Sequence, residues 1–470
     1  MFHLKEKGFA IALPLLLATA VSFAQTITAK SCPAYTVGIR PSGALTPNFD
    51  LIKLRNWIKN PVPTATTSVP NPNSTNTDLV ILSPHRGYWQ FCPEDTLEAY
   101  MAAIDKGPEM IEMDVRITAP GVDSTYNPNL DGSGTTGQYF ANGESFLTHD
   151  YDLRGEAPDP NGTNNVIYLS TPDQLQGRAM VDRYGNPAYD SSNDKITFHR
   201  LTDLLKLILR QAKITSGAIS PKAGTNGRDL IIRGSMLLFD EKGNGEKNPY
   251  TNTAYPYSSQ LAAVTETMNE VHEFELANNV DFSNVTIYTI NPQANYVPAG
   301  KWTTLVDQNY PDPSHQPGFL GYMYPIAGSP TQDPSVALPY QSLPGYLMFN
   351  WFDRWDNSPG RTYAASDLAN GKGIDTFYPS NNFPEGYRGA TGLCLDALAS
   401  QFTALKIDIQ GCRMQPLNRN YQAAPDYIWV PKAGANGTPY SNATARQPNL
   451  YDDIINYLTI LGLRNTSHIQ

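Results

Sequence analysis

Basic charge is scarce in this chain, with 34 Lys and Arg against 44 Asp and Glu and a formal net charge of −10. That balance argues against a nucleic-acid partner and against adhesion to anionic lipid surfaces. Charge of either sign is sparse at 17% of residues, while 35 Gly and 38 Pro point to a loop-rich rather than helix-rich molecule. No apolar stretch is long enough to span a bilayer. The one candidate, Phe9 to Leu17, is short, is interrupted by Pro14 and is preceded by Lys5 and Lys7. With the small residues that follow, it reads as a signal peptide cut after Ala24, so residues 1–24 are expected to be removed and the protein to be secreted or periplasmic. Only four cysteines are present, Cys32, Cys92, Cys394 and Cys412, and none has the CxxC spacing of a zinc or redox motif. In an oxidising compartment they allow two disulfides, with Cys32–Cys92 and Cys394–Cys412 the favoured pairing of three. The sequence carries no signal for an oligomeric state.

About 445 residues remain after the leader, enough for a large domain with elaborations. Residues 25–78 read as an N-terminal arm, with one short amphipathic helix at 47–59, followed by a Pro/Thr/Asn-rich linker at 60–78. From residue 79 to 470, short apolar runs alternate with helix-period segments, the pattern of a parallel α/β fold. Strands are expected near 79–84, 110–117, 145–148, 234–241, 284–290, 318–325, 346–350, 404–410 and 426–430. Helices are expected at 96–106, 199–213, 257–278, 393–402 and 449–462. Nine strands for eight positions of a barrel leave one to be decorative. Insertions are expected at 119–144 and 150–195. The first contains Asp131-Gly-Ser-Gly134, which has the outline of a calcium loop but reads more simply as a turn.

Chemistry concentrates at strand ends. In Met110–Ile117, Ile111, Met113, Val115 and Ile117 share one face, and Glu112, Asp114 and Arg116 share the other. An edge strand exposed to solvent would show the same alternation, but carboxylates facing a barrel interior require a metal or a counter-charge. The run ending in Asp240-Glu-Lys242 repeats the pattern, with Asp240 and Lys242 on one face and Glu241 on the other. His85 ends the first strand and is followed by Arg86, and His149 ends the run Ser-Phe-Leu-Thr-His. In a parallel barrel these C-terminal strand ends converge on one rim. Three carboxylates without Cys or His suit a hard divalent cation, Mg²⁺ or Ca²⁺. Two histidines beside them can serve as general acid and base, and Arg86 and Lys242 add positive charge for an anionic substrate.

At these residues the chain resembles the glycerophosphodiester phosphodiesterases. The resemblance rests on His85-Arg-Gly, Pro93-Glu-Asp-Thr-Leu-Glu-Ala99, Gly107, Ile111-Glu-Met-Asp-Val115, His149-Asp150 and Ile196–Ile208, and covers about residues 79–242. It implies a TIM-type (β/α)8 barrel and hydrolysis of phosphodiesters. It assigns one divalent cation to Glu112, Asp114 and Asp240, and an acid–base pair to His85 and His149. The substrate implied is a small phosphodiester or a phospholipid head group, and the neighbouring glycerol hydroxyl is the first attacker in that family. Asp95 stands where Asn is usual and Asp240 where Glu is usual, and Arg154 comes one residue early. Asp240-x-Lys242 is closer to the sphingomyelinase D branch, so a sphingomyelinase D-like or lysophospholipase D-like enzyme is the alternative, and a catalytically silent binding protein the third reading. A glycosidase has no use for the two histidine strand ends.

Overall fold

The structure, a computed structural model, describes residues 32, 81–84, 86–87, 92–105, 110–162, 164–181, 187–216, 236–243, 245–283, 285–290, 296–323, 346–351, 373–375 and 407–410. The expected leader, linker and arm helix, the helices at 393–402 and 449–462, the strand at 426–430, Cys394, Cys412 and His85 lie outside the described residues.

Alternation organises the second barrel strand. Ile111, Met113 and Val115 face outward and are buried against Leu97, Tyr100 and Met101 of α1 (Leu97–Asp105) and the leucines of α2 (Leu201–Ser216). Their neighbours Glu112, Asp114 and Arg116 therefore face the other way, and they too are buried. The next strand behaves alike, its Leu237 and Phe239 packing with Val264, Met268 and Val271 of α3 (Gln260–Asn278). Caps fix α3 at both ends. Ser259 Oγ accepts from the Ala262 amide at 3.2 Å, and Asn279 takes the left-handed conformation at φ 53°. A shorter helix, α4, spans Ala299–Asn309.

Among the described residues, eight parallel strands follow one another around the sheet: β1 (Ile81–Ser83), β2 (Met110–Ile117), β3 (Met236–Glu241), β4 (Thr286–Ile290), β5 (Gly318–Met323), β6 (Tyr346–Trp351), β7 (Gly373–Asp375) and β8 (Ile407–Gln410). Each from β2 to β8 pairs in parallel with the next. The last, β8, pairs back with β1. Across the remaining seam the Glu112 amide donates to the Pro84 carbonyl just past β1, at 3.3 Å. A parallel sheet in chain order whose last strand meets its first is the TIM-type (β/α)8 barrel.

One expected barrel strand is corrected. Ser145–Leu147 pairs antiparallel with the C-terminal half of β2, Val115 opposite Leu147 and Ile117 opposite Ser145. A parallel neighbour needs a crossover, usually a helix, but the 119–144 insertion supplies a two-stranded hairpin, Gly121–Asp123 with Gln138–Phe140, and turns the chain straight back. That return is tight at Gly143, φ 97°, where a Cβ would lie 2.2 Å from the Thr118 carbonyl oxygen. The barrel position left over belongs to β7. Asp131 accepts from the Ser133 amide at 2.9 Å, which is the plain turn.

A second, smaller core gathers Phe146, Tyr151, Leu153, Tyr168, Leu175, Met180, Ile196 and Phe198 under the 150–195 insertion. Cys32 and Cys92 join it and form a disulfide, the first of the two expected. No helix among the described residues is long and apolar enough to cross a membrane.

Candidate active site

The parallel register of β2 and β3 sets Asp114 beside Asp240. Because side chains two residues apart share a face, Glu112 joins them. One carboxylate oxygen from each of Glu112, Asp114 and Asp240 falls within 4.8 Å of the others. Glu112 and Asp114 are wholly buried, and Asp240 is 20% exposed at the rim.

Two cations are built against them. Arg86, at φ 60° just past β1, donates its backbone amide to Glu112 Oε2 at 2.7 Å. Its guanidinium Nε lies 2.8 Å from Asp114 Oδ2, and Nη1 lies 3.1 Å from Glu94 Oε1. Gly87 beside it has φ 77°, and a Cβ there would meet the Ala99 backbone at 2.9 Å, so the turn passes hard against α1. From the other side, Lys242 Nζ is 2.8 Å from Asp114 Oδ1 and also pairs with Asp240 Oδ2. Thr289 of β4 donates to Asp240 Oδ1 at 2.7 Å.

The protonation states follow. Burial pushes the Asp114 carboxyl up, but Lys242 and Arg86 outweigh it and hold the group well below the usual carboxylate range. Glu112 goes the other way, raised by burial and then by Asp114 and Asp240. Its Oε1 is a buried acceptor without a hydrogen-bond partner among the described residues. A hard oxygen donor set with one orphaned carboxylate oxygen fits a divalent cation.

The backbone amide of Thr148 donates to the Asp114 carbonyl at 3.0 Å, which brings the next residue, His149, to the same rim. His149 Nδ1 meets Asp150 Oδ1 at 2.7 Å, and its side chain is 32% exposed. A carboxylate on Nδ1 sets the orientation of the ring and leaves Nε2 for proton transfer. Of the sequence-derived site residues, the structure thus brings together Glu112, Asp114, Asp240, Arg86 and Lys242, and sets His149 on the adjoining segment. His85 is outside the described residues, although its neighbours Pro84 and Arg86 both contact Glu112.

Other participants carried no assignment from the sequence. Glu94 is buried against Arg86, and Asp95, at φ 57°, accepts from the Tyr100 hydroxyl at 2.6 Å. Thr96, whose Oγ1 accepts from the Ala99 amide at 3.2 Å, caps the start of α1. Asp150 had a readable signal, an acid adjacent to a strand-end histidine. Arg154 pairs with Asp152 and stands 48% exposed.

Residues 85–122 match the model of the glycerophosphoryl diester phosphodiesterase family, the family the sequence resembles. An uncharacterized protein, y4eD, of Sinorhizobium fredii (strain NBRC 101917 / NGR234) is 24% identical over 339 residues, covering 69% of this chain and 72% of its own. Among solved structures, a glycerophosphoryl diester phosphodiesterase of Parabacteroides distasonis aligns at 11% identity, over 78% of this chain and 89% of its own, with a TM-score of 0.41. A phosphodiesterase of Oleispira antarctica, solved with the product sn-glycerol-3-phosphate, aligns at 14% identity, over 70% and 92%, with a TM-score of 0.37.

Proposed function

We propose, taking the family matched by residues 85–122 as the premise, that this chain is a phosphoric diester hydrolase that cleaves glycerophosphodiesters into an alcohol and glycerol phosphate. The observation that carries the reading is the meeting of Glu112, Asp114 and Asp240 with Arg86 and Lys242 at the C-terminal rim of a parallel barrel. That rim is where barrels of this type place their chemistry. A divalent cation, Mg²⁺ or Ca²⁺, held by the three carboxylates would supply positive charge for the phosphoryl oxygens.

The chain's own groups divide the remaining work. Arg86 and Lys242 keep Asp114 ionised and add to the positive field that draws the diester in. His149, oriented by Asp150, moves a proton at Nε2, and His85 serves as its acid–base counterpart. No activated Ser or Cys stands among the described site residues, and the attacking group is the substrate's neighbouring hydroxyl, already tethered for reaction. The product of that attack is a cyclic phosphate, which water then opens.

Asp240 and Lys242, paired to each other, favour a second reading, a sphingomyelinase D-like or lysophospholipase D-like enzyme acting on intact lipid. The test is a panel of phosphodiesters, water-soluble and micellar, with and without chelator. Turnover of a glycerophosphodiester that is lost to the chelator and restored by Mg²⁺ or Ca²⁺ is expected. Full activity of a rigorously metal-free sample would overturn the metal assignment, preference for micelles would favour the second reading, and binding without turnover would leave a silent binding protein. The expected leader makes an exported enzyme part of this proposal, checked by an intact mass that begins at Gln25.

A further inference from the structure

Arg116 stands two residues beyond Asp114 on the inward face of β2, and it is 5% exposed. A guanidinium so buried must have its donors met. Its Nε donates to the His149 carbonyl at 2.7 Å, and its Nη1 lies 2.7 Å from Glu246 Oε1 and also meets the Tyr168 hydroxyl. That hydroxyl in turn donates to Glu246 Oε2 at 3.0 Å. The rings of Tyr151 and Tyr168 flank the cation, with centroids 5.9 and 5.7 Å from Cζ, and Tyr255 closes the cluster 5.8 and 6.0 Å from those two rings. These partners come from different places. Tyr151 and Tyr168 belong to the insertion that follows His149, while Glu246 and Tyr255 belong to the loop that follows Lys242. The Tyr255 amide donates to the Glu246 carbonyl at 2.8 Å, holding that loop as a unit.

We infer that Arg116 is a positioning residue for His149, clamping the backbone that carries the imidazole to the strand that carries Asp114. Thr148 and His149 are each tied to β2, one by the hydrogen bond its amide donates to the Asp114 carbonyl and the other by the Arg116 side chain. The position of His149 relative to the carboxylates is therefore set from one rigid strand. The planar guanidinium holds its Nε and Nη1 donors at a fixed spacing and direction, whereas a lysine ammonium offers its donors from one freely rotating point, so Lys at this position would not keep both contacts in place. Only the kinetic part of this inference rests on the phosphodiesterase reading.

The experiment compares wild type with Arg116→Lys, Arg116→Ala and Tyr168→Phe, each first checked for native circular dichroism and melting. With the p-nitrophenyl diester of glycerol phosphate, Arg116→Lys should lower kcat about 100-fold, the cost of misplacing a reacting group by about 1 Å, with KM little changed. The same substitution made in His149→Ala should cost almost nothing further, since a residue acting through His149 has nothing left to position. Diethyl pyrocarbonate should modify His149 faster in Arg116→Lys and Tyr168→Phe than in wild type. Additive losses in the double variant, or an unchanged modification rate at His149, would overturn the inference. If Arg116→Ala fails to fold, the other two variants carry the test. A wild type inactive on every diester would sink the phosphodiesterase reading instead, and the modification rates would still decide the role of Arg116.

Discussion

Asp240 and Glu241 are adjacent in the chain, yet they belong to two buried acidic regions that the protein treats in opposite ways. Asp240 faces the barrel mouth with Glu112 and Asp114, where Arg86 and Lys242 are set against the carboxylates. Glu241 faces outward, takes a hydrogen bond from Thr267 at 3.2 Å, and lies in a flank where Ser145 links Thr267 to Glu270. Glu144 is next to Ser145, and Arg200, the cation that acts on it, pairs with Asp123. Burial drives Glu241 and Glu270 well up and, with Glu270 and Asp123 nearby, pushes Glu144 up to about 11. The neutral form is thus the favoured one at Glu241, Glu270 and Glu144. In the mouth, Asp114 stays ionised under the same burial because cations are aimed at it. Desolvation neutralises a carboxyl unless counter-charge is supplied, and counter-charge retained in a dry cleft marks a place where charge is used. Glu112, raised by its two acidic neighbours, is the mouth group that one more cation would bring down.

That contrast can be broken most decisively by removing metal. Chelation should abolish turnover, and Mg²⁺ or Ca²⁺ should restore it in wild type but not, at the same concentration, in Asp114→Asn. Next come the histidines. His85→Ala and His149→Ala should each lower kcat by roughly 10²–10⁴-fold, the range for loss of a general acid or base, read from steady-state kinetics. Smaller effects are expected on the flank. Glu144→Gln should leave kcat unaltered and, measured at about pH 4, change stability by less than about 1 kcal/mol, because there the amide replaces a group that is neutral in the folded and unfolded chain alike. A large loss of activity there would erase the distinction between the two regions.

The flank should also show in the pH dependence of stability. A folded-state value of about 11 against an ordinary 4.5 means that the native state binds the Glu144 proton more tightly than the unfolded chain does. Its share of stability is then present below about 4.5 and lost as pH rises toward its folded value. Asp114 has the opposite sign, its share being present above the ordinary 3.8 and lost as pH falls through its lowered value. Urea melts from pH 5 to 9 should therefore fall less steeply with pH for Glu144→Gln than for wild type. The smallest effect belongs to Asp131→Ala, which should shift stability by about 0.5 kcal/mol or less and leave calcium stoichiometry unchanged, as befits a turn.

Much of the mouth was legible because its signal is a period. Alternation in Met110–Ile117 sorts acids from apolar residues, alternation in the run to Lys242 parts Asp240 and Lys242 from Glu241, and the register then only has to bring the two strands together. What escaped had no period to read. Three residues, Gly373–Asp375, with Gly and Asp at the ends, make a poor strand on propensity and are one only because β6 and β8 pair with them. Ala299–Asn309 contains Gly300, Thr303 and Thr304, weak helix formers whose helix depends on burying Trp302 and Val306. The direction of Ser145–Leu147 depends on the path of the preceding insertion, which local pattern does not encode. Glu94 sits on a loop, and its partnership with Arg86 is a matter of tertiary placement.

Closure of the barrel by β1 and β8 also has a consequence in time. Ile81–Ser83 has its hydrogen-bonding partner more than 300 residues later, at Asp408–Gln410. During synthesis, β1 cannot be paired on that side until almost the whole barrel has been made. Contacts this distant in sequence are slow to form, and until they do the first strand is an open template for another chain. A chain stopped before residue 407 would keep the carboxylates of β2 and β3 but leave that edge bare, and its fate would be association rather than catalysis.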